Sequence, residues 1–158
     1  MKKIVKRTLT LLIASLLLVG CSSNNASSTE TKKEKVKIGA IQYVEHSALD
    51  AATKGFIDGL KANGFVEGEN LEIDLQNAQG DASNCETIAN KFVNAKVDLI
   101  FANATPAAQA VAQKTTDIPI IVTSVTDPAS SGLVKSNELP ETNVSGTSDL
   151  TPIKEQLD

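Results

Sequence analysis

Two runs of almost unbroken apolar residues place the strongest constraint on how this chain folds. They span Val97 to Ala102 and Ile118 to Thr123, and neither shows the regular alternation of apolar and polar residues that marks a half-exposed strand. Strands of this composition are buried on both faces, as happens in parallel sheets that are covered by helices on each side. The two runs therefore predict the centre of a parallel α/β sheet.

The segments around these runs alternate between strand and helix patterns. Val36 to Tyr43 favours a strand, and Leu71 to Gln76 alternates in the manner of a half-exposed strand at a sheet edge. The intervening stretches predict helices that begin near Ser47, at a cap formed by Asp81 or Ser83, and at Thr105, and that end near Asn63, Lys96 and Lys114. Because parallel crossovers are right-handed, this alternation predicts a doubly wound α/β sheet in the order 2-1-3-4.

The first twenty residues have the pattern of an export signal. Four basic residues lie within Met1 to Arg7, and the apolar run Leu11 to Val19 is too short to span a bilayer. The run leads into Gly20 and Cys21, which resembles a bacterial lipobox with Cys21 as the lipidated residue. The alternative is an ordinary signal peptide followed by a chance cysteine. We expect residues 1–20 to be a lipoprotein signal peptide and the protein to be extracytoplasmic, held at the cell membrane by a lipid anchor.

Residues 21–35 have the composition of a disordered tether. Most are Ser, Asn, Thr, Ala or charged, and such a segment cannot bury enough apolar surface to offset the entropy of ordering it. Loss of residues 1–20 removes four of the 15 basic residues and none of the 19 acidic ones, which leaves a net charge of −8. An acidic balance of this size argues against nucleic acid as a partner.

Cys85 has no disulfide partner in the sequence once Cys21 is assigned to a lipid. It lies three residues before Ile88 and four before Ala89, on the apolar stripe of the second predicted helix. We therefore expect a small buried residue, and the alternative is a redox-active thiol.

Polar side chains collect where the first predicted strand ends. In open α/β sheets ligands bind beyond the carboxyl ends of the strands. Gln42, Tyr43 and His46 supply an amide, a phenol and an imidazole at this position, and all three are candidate ligand-binding residues. Tyr43 either stacks on a flat ligand or packs against a neighbouring helix, and His46 either bonds a ligand group or is a surface or capping residue.

The loop after the first apolar run holds three more candidate ligand-binding residues, Asn103, Ala104 and Thr105. They lead into a helix whose first turn presents unpaired N–H groups, and such a terminus favours an anion such as the carboxylate of an amino acid. The alternative for Thr105 is a plain helix cap, with Pro106 at the first helical position.

Thr126 and Asp127 follow the second apolar run and complete the candidate ligand-binding set. Asp127 is suited to holding the amino group of a ligand. The alternative is a turn residue, because Asp before Pro128 is also typical of a turn.

The sequence contains no recognisable motif for covalent catalysis, a cofactor or a metal ion. It has no G-x-S-x-G elbow, no H-E-x-x-H and no P-loop, and its two cysteines lack the spacing of zinc ligands. A triad of His46 with a Ser and an Asp rests only on the abundance of Ser and Asp. We expect a binding protein rather than an enzyme, with a surface hydrolase as the alternative.

Several stretches together resemble one protein family. They are IGAIQYVEHSALD (38–50), GFIDGLKANG (55–64), FANATPAA (101–108) and VTSVTDPASSGLV (122–134), and NVSGTSD (143–149) is similar to that family's link out of its first lobe. The family is that of the ABC-transporter substrate-binding proteins, which includes the tryptophan and tyrosine transporter binding proteins.

The resemblance implies a periplasmic-binding-protein-like fold of the Venus flytrap type, with residues 36–149 as its N-terminal lobe. It implies a small solute as ligand, an amino acid and in particular an aromatic one, and an ABC permease and ATPase as partners. It places Gln42, Ala104, Thr105, Thr126 and Asp127 along the first lobe's half of the cleft. A lipoprotein that senses a ligand for a membrane receptor is the alternative function.

The sequence departs from the family pattern in its length. Family members continue into a second α/β lobe after the hinge, whereas here Thr151 and Pro152 begin a predicted helix and the sequence stops at Asp158. We expect residues 150–158 to be a hinge helix or the start of a truncated second lobe. A single lobe would present only half of a cleft to the ligand.

Overall fold

The computed structural model describes residues 35–150, which form a parallel sheet flanked by helices. Its elements are β1 (Val36–Gln42), α1 (Ser47–Ala62), β2 (Leu71–Asn77), α2 (Ala82–Ala95), β3 (Leu99–Asn103), α3 (Thr105–Ala112), β4 (Ile120–Val125) and β5 (Val144–Ser148). The strands lie in the order β2-β1-β3-β4-β5, and every neighbouring pair is parallel. The predicted doubly wound α/β fold and the predicted order of the first four strands are confirmed.

The side of the sheet under α2 and α3, here called the α2/α3 face, holds the larger core. Ile41, Ile100 and Val122 pack there against Phe92 of α2 and against small residues of α3. Gly39 lies directly under the Phe92 ring, since a Cβ atom at this position would come within 2.5 Å of Phe92 Cγ. The missing side chain at Gly39 is what allows α2 to approach β1 so closely.

Cys85 belongs to the same core, as predicted. Its side chain is fully buried and forms no disulfide with any residue between 35 and 150. Burial raises the pKa of the Cys85 thiol, and the negative charge of Asp81 raises it further. The thiol is therefore protonated at neutral pH and packs as a small apolar group.

The opposite side of the sheet, here called the α1 face, is packed less completely. Thr53 is the one buried residue of the 16 in α1. Phe56 of α1 stacks on Phe101 of β3 with ring centroids 4.0 Å apart, but its side chain is only half-buried. Leu75 on β2 points to the same side and remains 50% exposed.

The ends of α1 and α2 follow the sequence signals. Gly64, with φ of 85°, turns the chain after α1, and Phe65 N donates to Leu60 O at 3.0 Å as part of the helix stop. At the start of α2 the Asp81 side chain accepts hydrogen bonds from the backbone, among them one of 2.7 Å from Ser83 N. Asp81, not Ser83, is therefore the N-cap of α2.

Several predicted boundaries were wrong, among them those of β4, which runs from Ile120 to Val125 rather than from Ile118 to Thr123. The strand pairing of β3 starts at Leu99 rather than at Val97, because Leu99 is the first residue in register with β1, opposite Ile38. The N-cap of α3 is Ala104, not Thr105, and α3 ends at Ala112 rather than at Lys114.

The strand β5 was not predicted. Only Val144 is buried among its five residues, so the segment lacks an apolar pattern. Gly146 has φ of 150°, and a Cβ atom there would collide with the backbone of Val122, where the register of β4 and β5 shifts. Close backbone pairing with β4, rather than side-chain burial, defines this edge strand.

The predicted signal peptide, the lipidation site Cys21, the tether up to residue 34 and the predicted helix from Thr151 lie outside the described residues. Between residues 35 and 150, no helix has the length and apolar character needed to cross a membrane.

Candidate functional site

The carboxyl ends of the first four strands lie side by side at one edge of the sheet. Gln42 of β1 is in register with Asn77 of β2 and with Asn103 of β3, and Asn103 is in register with Thr123 of β4. The loops that follow these strands therefore leave the sheet along a common edge, here called the strand-end rim. The candidate ligand-binding residues of all three sequence segments lie on this rim or directly beneath it.

The loop between β3 and α3 brings a helix terminus to the middle of the rim. Ala104 has φ of 86° and ψ of 151°, and its N–H donates to Thr123 O of the neighbouring strand at 3.1 Å. Among the described residues no side chain caps the first turn of α3, and Pro106, which has no N–H, lies within that turn. Thr105 begins the helix and is half-buried. The first-turn N–H groups and the positive end of the helix dipole are thus free of an internal side-chain acceptor.

Asp127 brings a carboxylate to the adjacent strand end. Its Oδ1 accepts hydrogen bonds from Asn137 Nδ2 at 3.0 Å and from Ala129 N at 3.1 Å. The bond from Asn137 is the main reason that the pKa of Asp127 lies below its ordinary value. The carboxylate is therefore charged at neutral pH. Its hydrogen bonds also hold the turn that contains Pro128, which was the alternative role considered for Asp127.

Thr126 precedes Asp127 and is exposed on the rim. Its carbonyl oxygen accepts a hydrogen bond of 2.6 Å from Ser148 Oγ at the end of β5. This contact ties the loop after β4 to the point where the chain leaves the sheet, and it leaves the Thr126 side chain at the surface.

Gln42 and Asn103 lie under the rim and are buried. Gln42 Nε2 donates to Val44 O at 2.9 Å and to Asp50 Oδ1 at 2.6 Å. Asn103 Nδ2 donates to Leu49 O at 2.7 Å. Both amide groups are thus engaged within the protein, beneath the loops that carry Thr105, Thr126 and Asp127.

A third buried polar residue, Thr53, joins these two amides and was not among the predicted site residues. The Thr53 hydroxyl donates to Gln42 Oε1 at 2.7 Å and accepts from Asn103 Nδ2 at 2.9 Å. The sequence did contain a signal that Thr53 is buried. Thr53 follows Leu49 by four residues and precedes Phe56 by three, so this polar residue lies on the apolar stripe of the helix.

Tyr43 and His46 both make contacts that serve the fold. The Tyr43 hydroxyl donates to Gly80 O at 2.7 Å, and the ring packs partly against the core. His46 is exposed and is the N-cap of α1, with its Nδ1 accepting from Ala48 N at 3.3 Å. His46 is thus a capping residue, one of the alternatives considered for it, and Tyr43 is bonded to the loop that follows β2.

A groove of ≈ 560 Å³ opens beside Gln42 and Asn77, between α1 and the edge strand β2. Ile57 and the half-exposed Leu75 supply its apolar surface. Across residues 35–150, no three His, Cys, Asp or Glu side chains come together in a group that suits a metal ion.

These features define a class of protein. The rim places an uncapped helix terminus and a charged carboxylate on adjacent loops, which suits the binding of a small polar solute at the carboxyl ends of parallel strands. The sequence profile of the ABC transporter substrate binding proteins matches residues 37–158. The chain belongs to this family, which confirms the predicted resemblance.

Individual relatives agree with the family assignment. The tyrosine-binding protein of Clostridioides difficile (strain R20291) is 50% identical over 164 residues, covering 97% of this chain and 47% of that protein. A ligand-free, open substrate binding protein with adhesive properties from Clostridium difficile matches with a TM-score of 0.75 at 55% identity, over 77% of this chain and 41% of its own. An ABC domain from Streptococcus pneumonia in complex with L-Trp matches with a TM-score of 0.73 at 39% identity, over 77% and 41%.

The chain spans about half the length of the relatives that it matches. The family consists of substrate-binding proteins, which are not enzymes and which act outside the cytoplasm. Membership thus supports the expectation of a binding protein over the surface hydrolase.

Proposed function

We propose that this chain is the first lobe of an extracytoplasmic, lipid-anchored protein that captures an aromatic amino acid for an ABC importer. One observation carries the proposal: the uncapped first turn of α3 and the charged Asp127 carboxylate follow neighbouring strands on the same rim. An amino acid offers one group of opposite charge to each. The tyrosine and L-Trp in the names of two relatives support an aromatic side chain.

The proposed site for the ligand carboxylate is the first turn of α3. Backbone N–H groups at a helix start point outward, and the helix dipole favours a negative charge there. Because Ala104 occupies the N-cap, no side chain of residues 35–150 caps this turn in place of an incoming anion. Thr105, the first residue of α3, adds a hydroxyl beside it.

The proposed partner of the ligand ammonium is Asp127. Its pKa is lowered chiefly by the hydrogen bond from Asn137, so the carboxylate is charged over the neutral range. Within the turn its Oδ1 accepts hydrogen bonds from Asn137 and Ala129, and Ser130 also lowers the pKa of this carboxyl. Gln42 and Asn103 would then support the loops from beneath, while Tyr43, His46 and Thr126 border the ligand.

The rest of the proposal concerns the whole protein. Residues 1–20 would direct export, Cys21 would carry the lipid, residues 21–35 would be the tether and residues 36–149 the lobe, with residues 150–158 leading toward a second lobe. Solute bound between two lobes would favour the closed state, and the permease and ATPase would respond to that state. A permease and an ATPase gene beside this one would support import, and a receptor kinase gene would support the sensor alternative.

The ligand class is tested by NMR titration of the isotope-labelled protein with L-tyrosine, L-tryptophan and L-phenylalanine. A single lobe buries only part of a ligand, so we expect weak binding, with Kd on the order of 1 mM. The amide signals of Thr105, Ala107 and Asp127 should shift most. If no aromatic amino acid moves these signals at millimolar concentration, the proposed ligand class is wrong.

One ligand analogue and one substitution separate the role of the ligand's amino group from that of its carboxylate. Asp127→Asn retains the Oδ1 acceptor of the turn but removes the charge. We expect it to weaken L-phenylalanine binding about tenfold and to leave 3-phenylpropionate, which lacks the amino group, unchanged. An equal loss for both ligands would show that Asp127 serves only the turn.

The anchor is tested by metabolic labelling with a palmitate analogue. Wild-type protein should incorporate the label and fractionate with membranes, and Cys21→Ala should do neither. Cys85→Ala is the matched control and should behave as wild type, because the Cys85 thiol is buried. Label that persists in Cys21→Ala would refute the lipid anchor.

A further inference from the structure

The buried hydroxyl of Thr53 links the ends of two adjacent strands. Thr53 is 5% exposed, and its Oγ1 donates to Gln42 Oε1 and accepts from Asn103 Nδ2. Gln42 and Asn103 are themselves register partners at the carboxyl ends of β1 and β3. We refer to Gln42, Thr53 and Asn103 together as the amide network.

The amide network also holds the loop between β1 and α1. Gln42 Nε2 reaches forward to Val44 O in the loop and to Asp50 Oδ1 in the first turn of α1. Asn103 Nδ2 reaches Leu49 O in the same turn. The loop, which borders the proposed ligand site, is therefore fixed to both β1 and β3 by side chains that meet at one hydroxyl.

Stability alone does not account for this choice of residues. An apolar side chain at position 53 would extend the apolar stripe of α1 and need no hydrogen-bond partner. Asn103 is 0% exposed, and its Oδ1 has no hydrogen-bond partner within the described part of the chain. Buried polar groups that are incompletely satisfied destabilise a fold. The network is thus better explained by the geometry that it imposes on the loop.

We propose that Thr53 is a positioning residue for ligand capture. Its hydroxyl fixes the orientation of the Gln42 and Asn103 amides, and these hold the β1–α1 loop in the shape that borders the ligand. Thr53 does not touch the ligand itself. The proposal rests on the proposed function, since it concerns the same rim.

The test compares Thr53→Val with Thr53→Ser. Valine keeps the shape of threonine but removes the hydroxyl, so both amides lose a partner, whereas serine retains the hydroxyl. By NMR titration with L-tryptophan, we expect Thr53→Val to raise the Kd about tenfold and Thr53→Ser to stay within about twofold of wild type. Thr87→Val is the matched control: its hydroxyl donates to Ser83 O on an exposed part of α2, and the Kd should not change.

Hydrogen exchange without ligand keeps this proposal separate from the proposed function. In wild type the N–H groups of Tyr43, Ala48 and Asp50 are hydrogen-bonded. Thr53→Val should speed their exchange, while the core strand β3 stays protected. If wild type binds no aromatic amino acid, the proposed function fails, and these exchange rates still decide whether Thr53 holds the loop.

Two outcomes would overturn the proposal. One is a Thr53→Val protein with wild-type Kd and unchanged exchange in the loop, and the other is a Thr53→Ser protein as impaired as Thr53→Val. If Thr53→Val does not fold, Thr53→Ala replaces it, because the smaller side chain leaves room for water to satisfy the amides. Alanine should then weaken binding in the same direction relative to serine, and an equal Kd for the two would overturn the proposal.

Discussion

The two faces of the sheet are built in different ways. The α2/α3 face is closed by apolar contacts, in which Gly39 brings Phe92 directly onto β1. The α1 face has one buried helix residue, Thr53, and that residue is polar. Apolar burial is the main source of stability, whereas a network of directed hydrogen bonds defines the positions of particular groups. The comparison indicates that the α2/α3 face stabilises the lobe and that the α1 face positions the rim.

The largest difference between the faces should appear when a phenylalanine is removed from each. Phe92→Ala, on the α2/α3 face, should lower the free energy of unfolding by about 3–5 kcal/mol, because a buried ring leaves a cavity. Phe56→Ala, on the α1 face, should cost at most about 2 kcal/mol, since the ring is half-exposed and loses mainly its stacking on Phe101. Urea unfolding followed by circular dichroism measures both. Equal losses would contradict the proposed division between the faces.

Gly39→Ala should have the next largest effect. The new Cβ would lie 2.5 Å from Phe92 Cγ, so α2 must shift outward, at a cost of about 1–3 kcal/mol. Phe92→Leu in the same protein should relieve part of the strain, and the double variant should lose less stability than the two single variants together. Strictly additive losses would mean that Gly39 and Phe92 do not constrain each other.

The sequence predicts the α2/α3 face well because its signals are local. Apolar residues mark the buried positions one by one in β3, in β4 and in the stripe of α2 that contains Cys85 and Phe92. The misses arose where tertiary pairing decides the structure. β5 is a strand because its backbone pairs with β4, although only Val144 is buried. Ala104 became the N-cap because its N–H bonds to Thr123 O of the next strand, a contact that no local pattern records.

The candidate site was predictable in location more than in detail. Parallel strands end at a common edge, so residues after β1, β3 and β4 were expected to converge, and they do. Which of them remain available to a ligand depends on hydrogen bonds between distant residues. Gln42 and Asn103 are both bonded to α1 through Thr53, which lies 11 and 50 residues away from them in sequence.

The Cys85 thiol offers a smaller, pH-dependent test of the α2/α3 face. Burial raises its pKa above the ordinary value of 9.0, so the folded state holds its proton more tightly than the unfolded state does. This contribution to stability is complete below pH 9.0 and is lost as the pH rises through the folded pKa. We expect the unfolding free energy of wild type to fall more steeply above pH 9.0 than that of Cys85→Ala. Parallel pH profiles would indicate that the thiol is solvated.

Leu75→Lys should have the smallest effect, and it tests the α1 face directly. Leu75 and Leu71 point to the same side of β2, because residues four apart on a strand share a face, but Leu75 is 50% exposed and Leu71 2%. A lysine at position 75 keeps its charged end in water, so the unfolding free energy should change by no more than about 0.5 kcal/mol. Leu71→Lys is the matched control and should prevent stable folding, since it buries an unpaired charge. If Leu75→Lys were as damaging as Leu71→Lys, the α1 face would be a packed apolar core like the α2/α3 face. The positions of Gln42, Thr53 and Asn103 would then follow from apolar packing, and their hydrogen bonds would not be needed to explain the shape of the rim.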